Sequence, residues 1–362
     1  MPAKANLTTT SDINVSIREI DFVTRFTRNW DALREILGIM RPIRKAAGTQ
    51  LKSYTTSVTL QSGAVGEGEE IPYSKATINP VTFSDLTIEK YAKGVSIEAV
   101  NKYGAEVAVQ RTDDEFLNEL QGNVMTRFYD FLKTGRLRGS STTFQMAVSM
   151  AIGRVRNKFQ QMHRDVSNIV VFANTLDVAA YLGSASITMQ TTSGITYLKN
   201  FLGASVLIAS SEIESGKVIA VPVGNIDLYY VDPSDSAFAQ LGLNYTVEGE
   251  TNLIGFHAEG DYKHAVGDTY ALMGMTLWAE YLDAIAIEFI GTATAVTTAE
   301  TITADASDTS LYKTAHSPIV SVEMLKDGTT AIATDKYIIE DNGVRLLDTP
   351  SGTVTIKYTY VA

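Results

Sequence analysis

Catalysis needs nucleophiles, bases or metal ligands held in fixed geometry, and this chain offers few of them. Its 362 residues include no cysteine and only four histidines. The first absence removes thiolate nucleophiles, disulfides, zinc fingers and iron–sulfur clusters together. His257, Asp261 and His264 fall within FHAEGDYKH and have the residue types of a metal site. Their H-x3-D-x2-H spacing fits no helical face and Gly260 interrupts it, so a loop or strand surface is the expected setting. His163 follows a helical stretch, where a cation suits the negative end of the helix dipole. The acidic trio Glu67, Glu69 and Glu70 could pass for paired carboxylates. It is set among Gly63, Gly66 and Gly68, and a glycine-rich tip holds no two carboxylates at fixed separation, so solvation explains it better. No G-x-S-x-G elbow, P-loop or dinucleotide fingerprint occurs. The 17 tyrosines are not interleaved with Lys and Arg as on a stacking platform for single strands. The chain reads as a non-enzyme, with no catalytic residue, no metal and no cofactor.

Composition narrows the class further. Hydrophobic residues make up 45% and charged residues 20%, enough for a real core and too apolar for a disordered chain. The length suggests two domains. A net charge of −11 excludes coating nucleic acid by bulk charge. One local exception stands out: the first 52 residues hold nine basic against five acidic side chains. Arg18, Arg25, Arg28, Arg34, Arg41 and Arg44 form the bulk of that basic arm. The start, MPAKANLTTTSDIN, has no apolar signal-peptide region, and VIAVPV and AIAIEFI fall far short of a membrane span. The expectation is a soluble protein made in the cytoplasm, with no membrane contact.

The spacing of apolar residues predicts the elements. Ile20, Val23, Phe26, Trp30, Leu33 and Leu37 step by three and four and predict a helix closed by Gly38 and Pro42. LKSYTTSVTLQ then alternates as a strand, SGAVGEGEEIPY is a wet tip, and ATINPVTFSDLTIEKYAKGVSIEAV is a long return strand. Two strands of about twelve residues reach about 40 Å. A hairpin of that length has no core of its own and must be covered by something else. Phe116, Leu120, Val124, Phe128 and Phe131 predict a helix of about 45 Å from near Ala105, with Gly135 as its C-terminal cap. A second helix, begun at Thr142, carries the stripe Phe144, Val148, Ile152, Val155 and Phe159. SNIVVFANTLDVAAYLG reads as a buried strand and a helix capped by Asn174 or Thr175. LKNFLGASVLIASSEI predicts a helix ending at Gly203 and then a strand, and GKVIAVPVGNIDLYYVDP two more strands.

From Gly291 a Thr-rich junction leads into short strands separated by Asp327-Gly328, Asn342-Gly343 and Ser351-Gly352, which together predict a small β-sandwich. Ile319, Val322, Met324, Ile338, Ile339, Leu346, Val354, Ile356 and Tyr358 are its expected core. Nine acidic residues outnumber five basic ones there.

The order of these elements resembles the major capsid protein of tailed bacteriophages, with the Hong Kong 97-type fold. VVFANTLDVAAYLG and FLGASVLIASSEIESGKVIAVPVGNIDLYY are similar to the strand–cap–helix and the apolar run of that family's A-domain. The resemblance implies an α+β chain: an N-terminal arm at 1–48 and an extended E-loop hairpin at 49–96. A P-domain with its spine helix follows at 97–145 and 250–290, and an A-domain at 146–250. The tail, 293–362, resembles the immunoglobulin-like modules of some phage proteins. The implied function is self-assembly into hexamers and pentamers of an icosahedral head around double-stranded DNA.

The implied partners are other copies of the chain, a portal and a separate scaffolding protein, since no long charged segment precedes the arm; a scaffold segment already removed is the other option. The arm's arginines are expected near the inner surface, facing DNA or an acidic scaffold. The tip residues Gly63, Gly66, Glu67, Gly68, Glu69 and Glu70 are expected on a neighbouring subunit. The tail is expected outside, as decoration, clamp or weak contact for glycans and host surfaces, so that a chain ending near Gly291 still assembles. Two rival readings are an encapsulin-type nanocompartment and a bacterial surface or adhesion protein. A secretion signal would mark the latter.

Overall fold

Strand alternation and helical stripes sort this chain into two units, seen here in a computed structural model that describes residues 38–67, 70–166, 168–185, 190–192, 195–247 and 253–362. The helix expected over 20–37, with Arg18, Arg25, Arg28 and Arg34, lies outside the described residues, as do Gly68 and Glu69. The first unit takes in Pro42–Phe116 and Leu228–Thr276; the second takes in Leu117–Asp227 and Leu277–Ala362, with the stretch ending at Arg41. The chain is a mixture of α and β in which strands predominate.

In the first unit the strands Thr246–Val247, Ile254–Asp261, Val266–Met273 and Glu89–Ser96 form an antiparallel sheet in that order. Its last pair runs in unbroken register from Ser96 opposite Val266 to Glu89 opposite Met273. The single long return strand expected over 76–100 is divided. It is a ribbon strand, Lys75–Asp85, then the sheet strand Glu89–Ser96, then the helix Ile97–Tyr103. Fully buried Leu86 marks the first break, and Ser96 makes the second by accepting the Ala99 amide at 3.3 Å as a helix cap.

The long helix opens with one π-turn, Glu106–Gln110, before the regular helix Arg111–Leu132. Thr112 Oγ1 donates back to the Ala108 and Val109 carbonyls there, at 2.8 and 2.9 Å. Lys93 and Thr269, on adjacent sheet strands, both reach Asp113, and the Phe116 ring meets Phe256 edge-on at 6.5 Å.

The second unit is built on a seven-stranded mixed sheet. Its order is Leu137–Ser141, Ala286–Ile290, Lys217–Pro222, Ile169–Asn174, Val206–Ser210, Ile195–Lys199 and Gln190–Thr192. The helix Phe144–Gln161 lays its whole expected stripe on one face, against Val171, Ala173, Val218, Ala220 and Ala286. Its cap is Thr143 rather than Thr142, accepting from the Met146 amide. The C-terminal half of the long helix meets Phe172 through Phe128 and Tyr129, with ring centroids 5.6 and 5.8 Å away. Burial holds the Tyr129 phenol un-ionised, with its pKa pushed up to about 12.

Asn174 caps the next helix, Thr175–Ala185, accepting from Leu176 at 2.8 Å and donating to the Ile213 carbonyl. Two glycine expectations are corrected. No helix ends at Gly203, which turns between the strands Ile195–Lys199 and Val206–Ser210 with φ +92°. Gly135 does not adopt a left-handed cap; a Cβ there would lie 2.7 Å from Ile285 Cγ2, so close packing is what excludes a side chain.

The C-terminal strands belong to this second unit. Ala293–Ala295, Glu300–Ala304, Ile319–Asp327 and Thr330–Ala331 are arranged with Val354–Val361 on one side. Leu311–Lys313, Gly343–Leu346 and Tyr337–Glu340 make the other. Glu300–Ala304 serves both, pairing through 300–302 with the first group and through 303–304 with the second. Ile302, Ile319, Leu325, Val344, Leu346, Val354, Ile356 and Tyr358 fill the core between them. Five of these eight were expected; of the other expected residues, Val322, Met324, Ile338 and Ile339 are only half-buried.

Candidate functional site

The residues singled out for chemistry do not converge. His264 Nδ1 lies 2.5 Å from Asp261, which holds that carboxyl below its ordinary pKa. His257 lies 3.7 Å from Glu259, on the strand Ile254–Asp261. No group of metal-ligating side chains assembles among the described residues. His163 takes a left-handed φ of 54° just past the helix Phe144–Gln161, donating its amide to Gln160.

The ribbon is the unusual feature. Gln50–Thr59 and Lys75–Asp85 pair antiparallel with each other and with no other strand among the described residues. Pro80 stands opposite Tyr54, a position a proline tolerates because each strand of a two-stranded ribbon is also an edge. The root is anchored: Leu51 and Leu86 are buried, the Gly48 amide donates to the Leu86 carbonyl at 3.0 Å and the Leu86 amide to the Thr49 carbonyl at 3.2 Å. The tip is not. Gln61 donates to Ser74 and Ala64 to Ser62, while Leu60 is 79% and Tyr73 92% exposed, with Val58, Val65 and Ile71 uncovered beside them. Gly63, Gly66, Glu67 and Glu70 are exposed at the same tip. Five large apolar side chains in water on an element without a core of its own mark a contact surface.

The two described arginines of the basic arm are not free cations. Arg41 Nε reaches the buried Asp227 at 2.7 Å and its Nη2 reaches Glu280 at 3.2 Å. Arg44 reaches the buried Asp232 at 3.0 Å and Asp235 at 3.1 Å. The hydrogen bond to Asp227 raises the Arg41 pKa, and that to Asp235 raises the Arg44 pKa. Each guanidinium therefore has two carboxylates offsetting its charge. Asp227 and Asp232, buried acids in strongly apolar segments, were the missed partners. Their only sequence signal is an isolated carboxylate inside an apolar run, IDLYYVD.

A second ionic feature was also missed. Arg138, Lys217 and Phe289 share one face of the seven-stranded sheet, with both cations within 6 Å of the Phe289 ring. Asp341, at the Asn342-Gly343 turn, pairs with both cations. On the opposite face Glu288, fully buried, accepts from Arg154 at 2.8 Å and Ser141 at 2.7 Å.

No protein-family model and no curated protein matches this sequence. Solved structures do. The mature capsid of bacteriophage PhiM1 aligns over 80% of this chain and 96% of its own, at 7% identity and a TM-score of 0.52. The capsid of a native GTA particle aligns over 81% and 95%, at 10% identity and 0.49. The holo-SrpI encapsulin complex of Synechococcus elongatus aligns over 75% and 93%, at 12% identity and 0.46. The likeness to PhiM1 establishes a fold shared with a phage capsid subunit.

Proposed function

We propose that this chain is the major capsid protein of a tailed bacteriophage, self-assembling into hexamers and pentamers of an icosahedral head that encloses double-stranded DNA. The ribbon carries the reading. On a chain with the fold of a capsid subunit, an apolar-tipped hairpin needs cover, and a second copy supplies it. Obligate contacts of that kind typically bury above about 2,000 Å². In this reading 1–48 is the N-terminal arm, 49–96 the E-loop, 97–145 with 250–290 the P-domain, and 146–250 the A-domain of a Hong Kong 97-type subunit. Residues 293–362 are an immunoglobulin-like module on the outer face, where net acidity does not meet packaged DNA.

Because Arg41 and Arg44 each keep two carboxylates, Arg18, Arg25, Arg28 and Arg34 carry the arm's charge toward DNA or scaffold. The further partners are a separate scaffolding protein, a portal and the genome. A weak glycan or host-surface contact through 293–362 would gain from the many copies on one particle. The site of action is the virion, assembled in the host cytoplasm; no helix among the described residues is long and apolar enough to cross a membrane.

Negative-stain imaging of the purified full chain tests the proposal. Closed polyhedral shells or flat hexameric and pentameric capsomers are expected. Particles that stay monomeric across concentration and salt overturn it. Shell diameter and nuclease-protected DNA distinguish a phage head from a cargo compartment.

A further inference from the structure

A Thr-rich junction and a separate hydrophobic core suggest a tail that could be cut away, but the buried charges say otherwise. Arg138 lies on the edge strand of the seven-stranded sheet and Lys217 two strands in, flanking the strand that carries Phe289. Their side chains are 4% and 7% exposed. Buried cations need compensating acceptors, because taking an ion out of water costs more than burial of its stem returns. Both hydrogen bonds described for Arg138 go to the C-terminal module: Nη1 donates to Asp341 Oδ1 at 2.9 Å and to the Ile319 carbonyl at 3.0 Å. Its Nε is buried without a partner, so it has no spare acceptor to fall back on. Lys217 pairs with the other Asp341 oxygen and with Glu214, which is mostly in water.

The turn that presents Asp341 is itself fixed. The Ile319 amide donates to the Asp341 carbonyl at 2.9 Å and the Thr314 amide to the Asn342 carbonyl at 3.1 Å. The junction is close-fitting too: the Gly291 amide donates to Ser141 at 2.8 Å, and a Cβ on Gly291 would lie 2.3 Å from Val361 Cγ1.

We infer that residues 293–362 form an obligatory part of the second unit, docked on a cationic face of the seven-stranded sheet whose counter-charge is Asp341 of this same chain. One carboxylate is thereby shared between two buried cations, Glu214 supplying the second negative charge at Lys217, and the sheet edge folds stably only with the module in place. The module is an internal clamp on the subunit, whatever it presents to the outside. The inference does not depend on shell formation, since it concerns the stability of a single subunit.

The test is thermal unfolding of full-length variants, with limited proteolysis at the Gly291–Thr292 junction. Asp341→Ala is expected to lower the midpoint by on the order of 10 °C, because it leaves Arg138 without a carboxylate and Lys217 with only the mostly exposed Glu214. It should also speed cleavage at the junction about tenfold or more, as opening of the docked module becomes easier. Asp341→Asn, which keeps an acceptor and loses the charge, should fall between Asp341→Ala and the parent. The triple variant Arg138→Met, Lys217→Met, Asp341→Leu should return to within about 3 °C of the parent, since an apolar replacement leaves no charge uncompensated. A midpoint and cleavage rate unchanged in Asp341→Ala would overturn the inference. So would a triple variant no more stable than the single one, including the case where both fail to fold.

Discussion

The ribbon and the C-terminal module are both made of short antiparallel strands, yet they solve the burial problem in opposite ways. Among the described residues the ribbon pairs only with itself, and it leaves Leu60, Ile71 and Tyr73 in water. The module closes two groups of strands over Tyr358, Ile356 and Val344, all essentially inaccessible. A two-stranded element has no second layer, so its apolar side chains wait for another molecule. A strand shared by two groups, as Glu300–Ala304 is, supplies the second layer within the chain. The difference teaches where each region's stability comes from: the module has its own core and the sheet beside it, whereas the ribbon, on the proposed reading, relies on a neighbour.

The comparison breaks if the ribbon tip proves dispensable. Deleting Ser62–Tyr73 should leave soluble protein with a nearly unchanged unfolding midpoint but reduce closed shells at least about tenfold, as sedimentation velocity and imaging would show, because the deleted tip carries Val65, Ile71 and Tyr73. Normal shells from that deletion would refute the contact role.

Next in size is a core truncation in the module. Tyr358→Ala removes a fully buried ring whose hydroxyl accepts from the His316 amide at 3.1 Å. The expected cost is about 3–5 kcal/mol in urea unfolding. A loss below about 1 kcal/mol would mean that the module's core contributes little.

Acid should weaken the module through its carboxylates. Hydrogen bonds from Ser310 and the Arg345 guanidinium draw the Asp308 pKa down to about 2, and Lys313 and Ser307 hold Asp305 well below the usual carboxylate range. At Asp341 burial alone would raise the pKa, but Arg138 and Lys217 outweigh it and lower it on balance. A pKa depressed on folding stabilises above the unfolded value, near 4, and that stabilisation is lost as pH falls through the folded value. Urea midpoints should therefore decline between about pH 4 and pH 2. In Asp341→Asn that decline should be shallower, and an equally steep one would remove Asp341 from the account.

The smallest effect expected is on the ribbon itself. Tyr73→Ala and Leu60→Ser should change subunit stability by no more than about 0.5 kcal/mol, since both side chains are already in water. The same changes should slow assembly, read by light scattering.

Much of the architecture was legible because periodicity reports burial directly. The stripe Phe144, Val148, Ile152, Val155 and Phe159 is buried throughout, and of the two candidate caps Asn174 and Thr175 it is Asn174 that caps the next helix. The hairpin was legible for the same reason, with tip residues between two alternating runs. Errors fell where local signals are degenerate. An apolar run containing glycine, as around Gly203, fits a helix end or a strand turn equally well, and only the pairing of Ile195–Lys199 with Val206–Ser210 decides. The return strand over 76–100 alternates almost throughout, so its division at Leu86 and Ser96 depends on what each part packs against. The charged sites were least visible. Arg41 and Arg44 read as part of a basic arm, and their carboxylate partners lie more than 180 residues away.

From sequence alone came most element types, the uncovered hairpin and the separate C-terminal core, because each follows from spacing within a few turns of chain. Tertiary structure alone decided which charges are neutralised. Asp341 reads as an ordinary turn residue before Asn342-Gly343, and Arg138 and Lys217 as cations on two strands. Their meeting over Phe289 depends on strands brought together from about 80 and 200 residues apart. Ion pairing acts over a few ångströms in space and leaves no period in the chain, so no local pattern could have announced it.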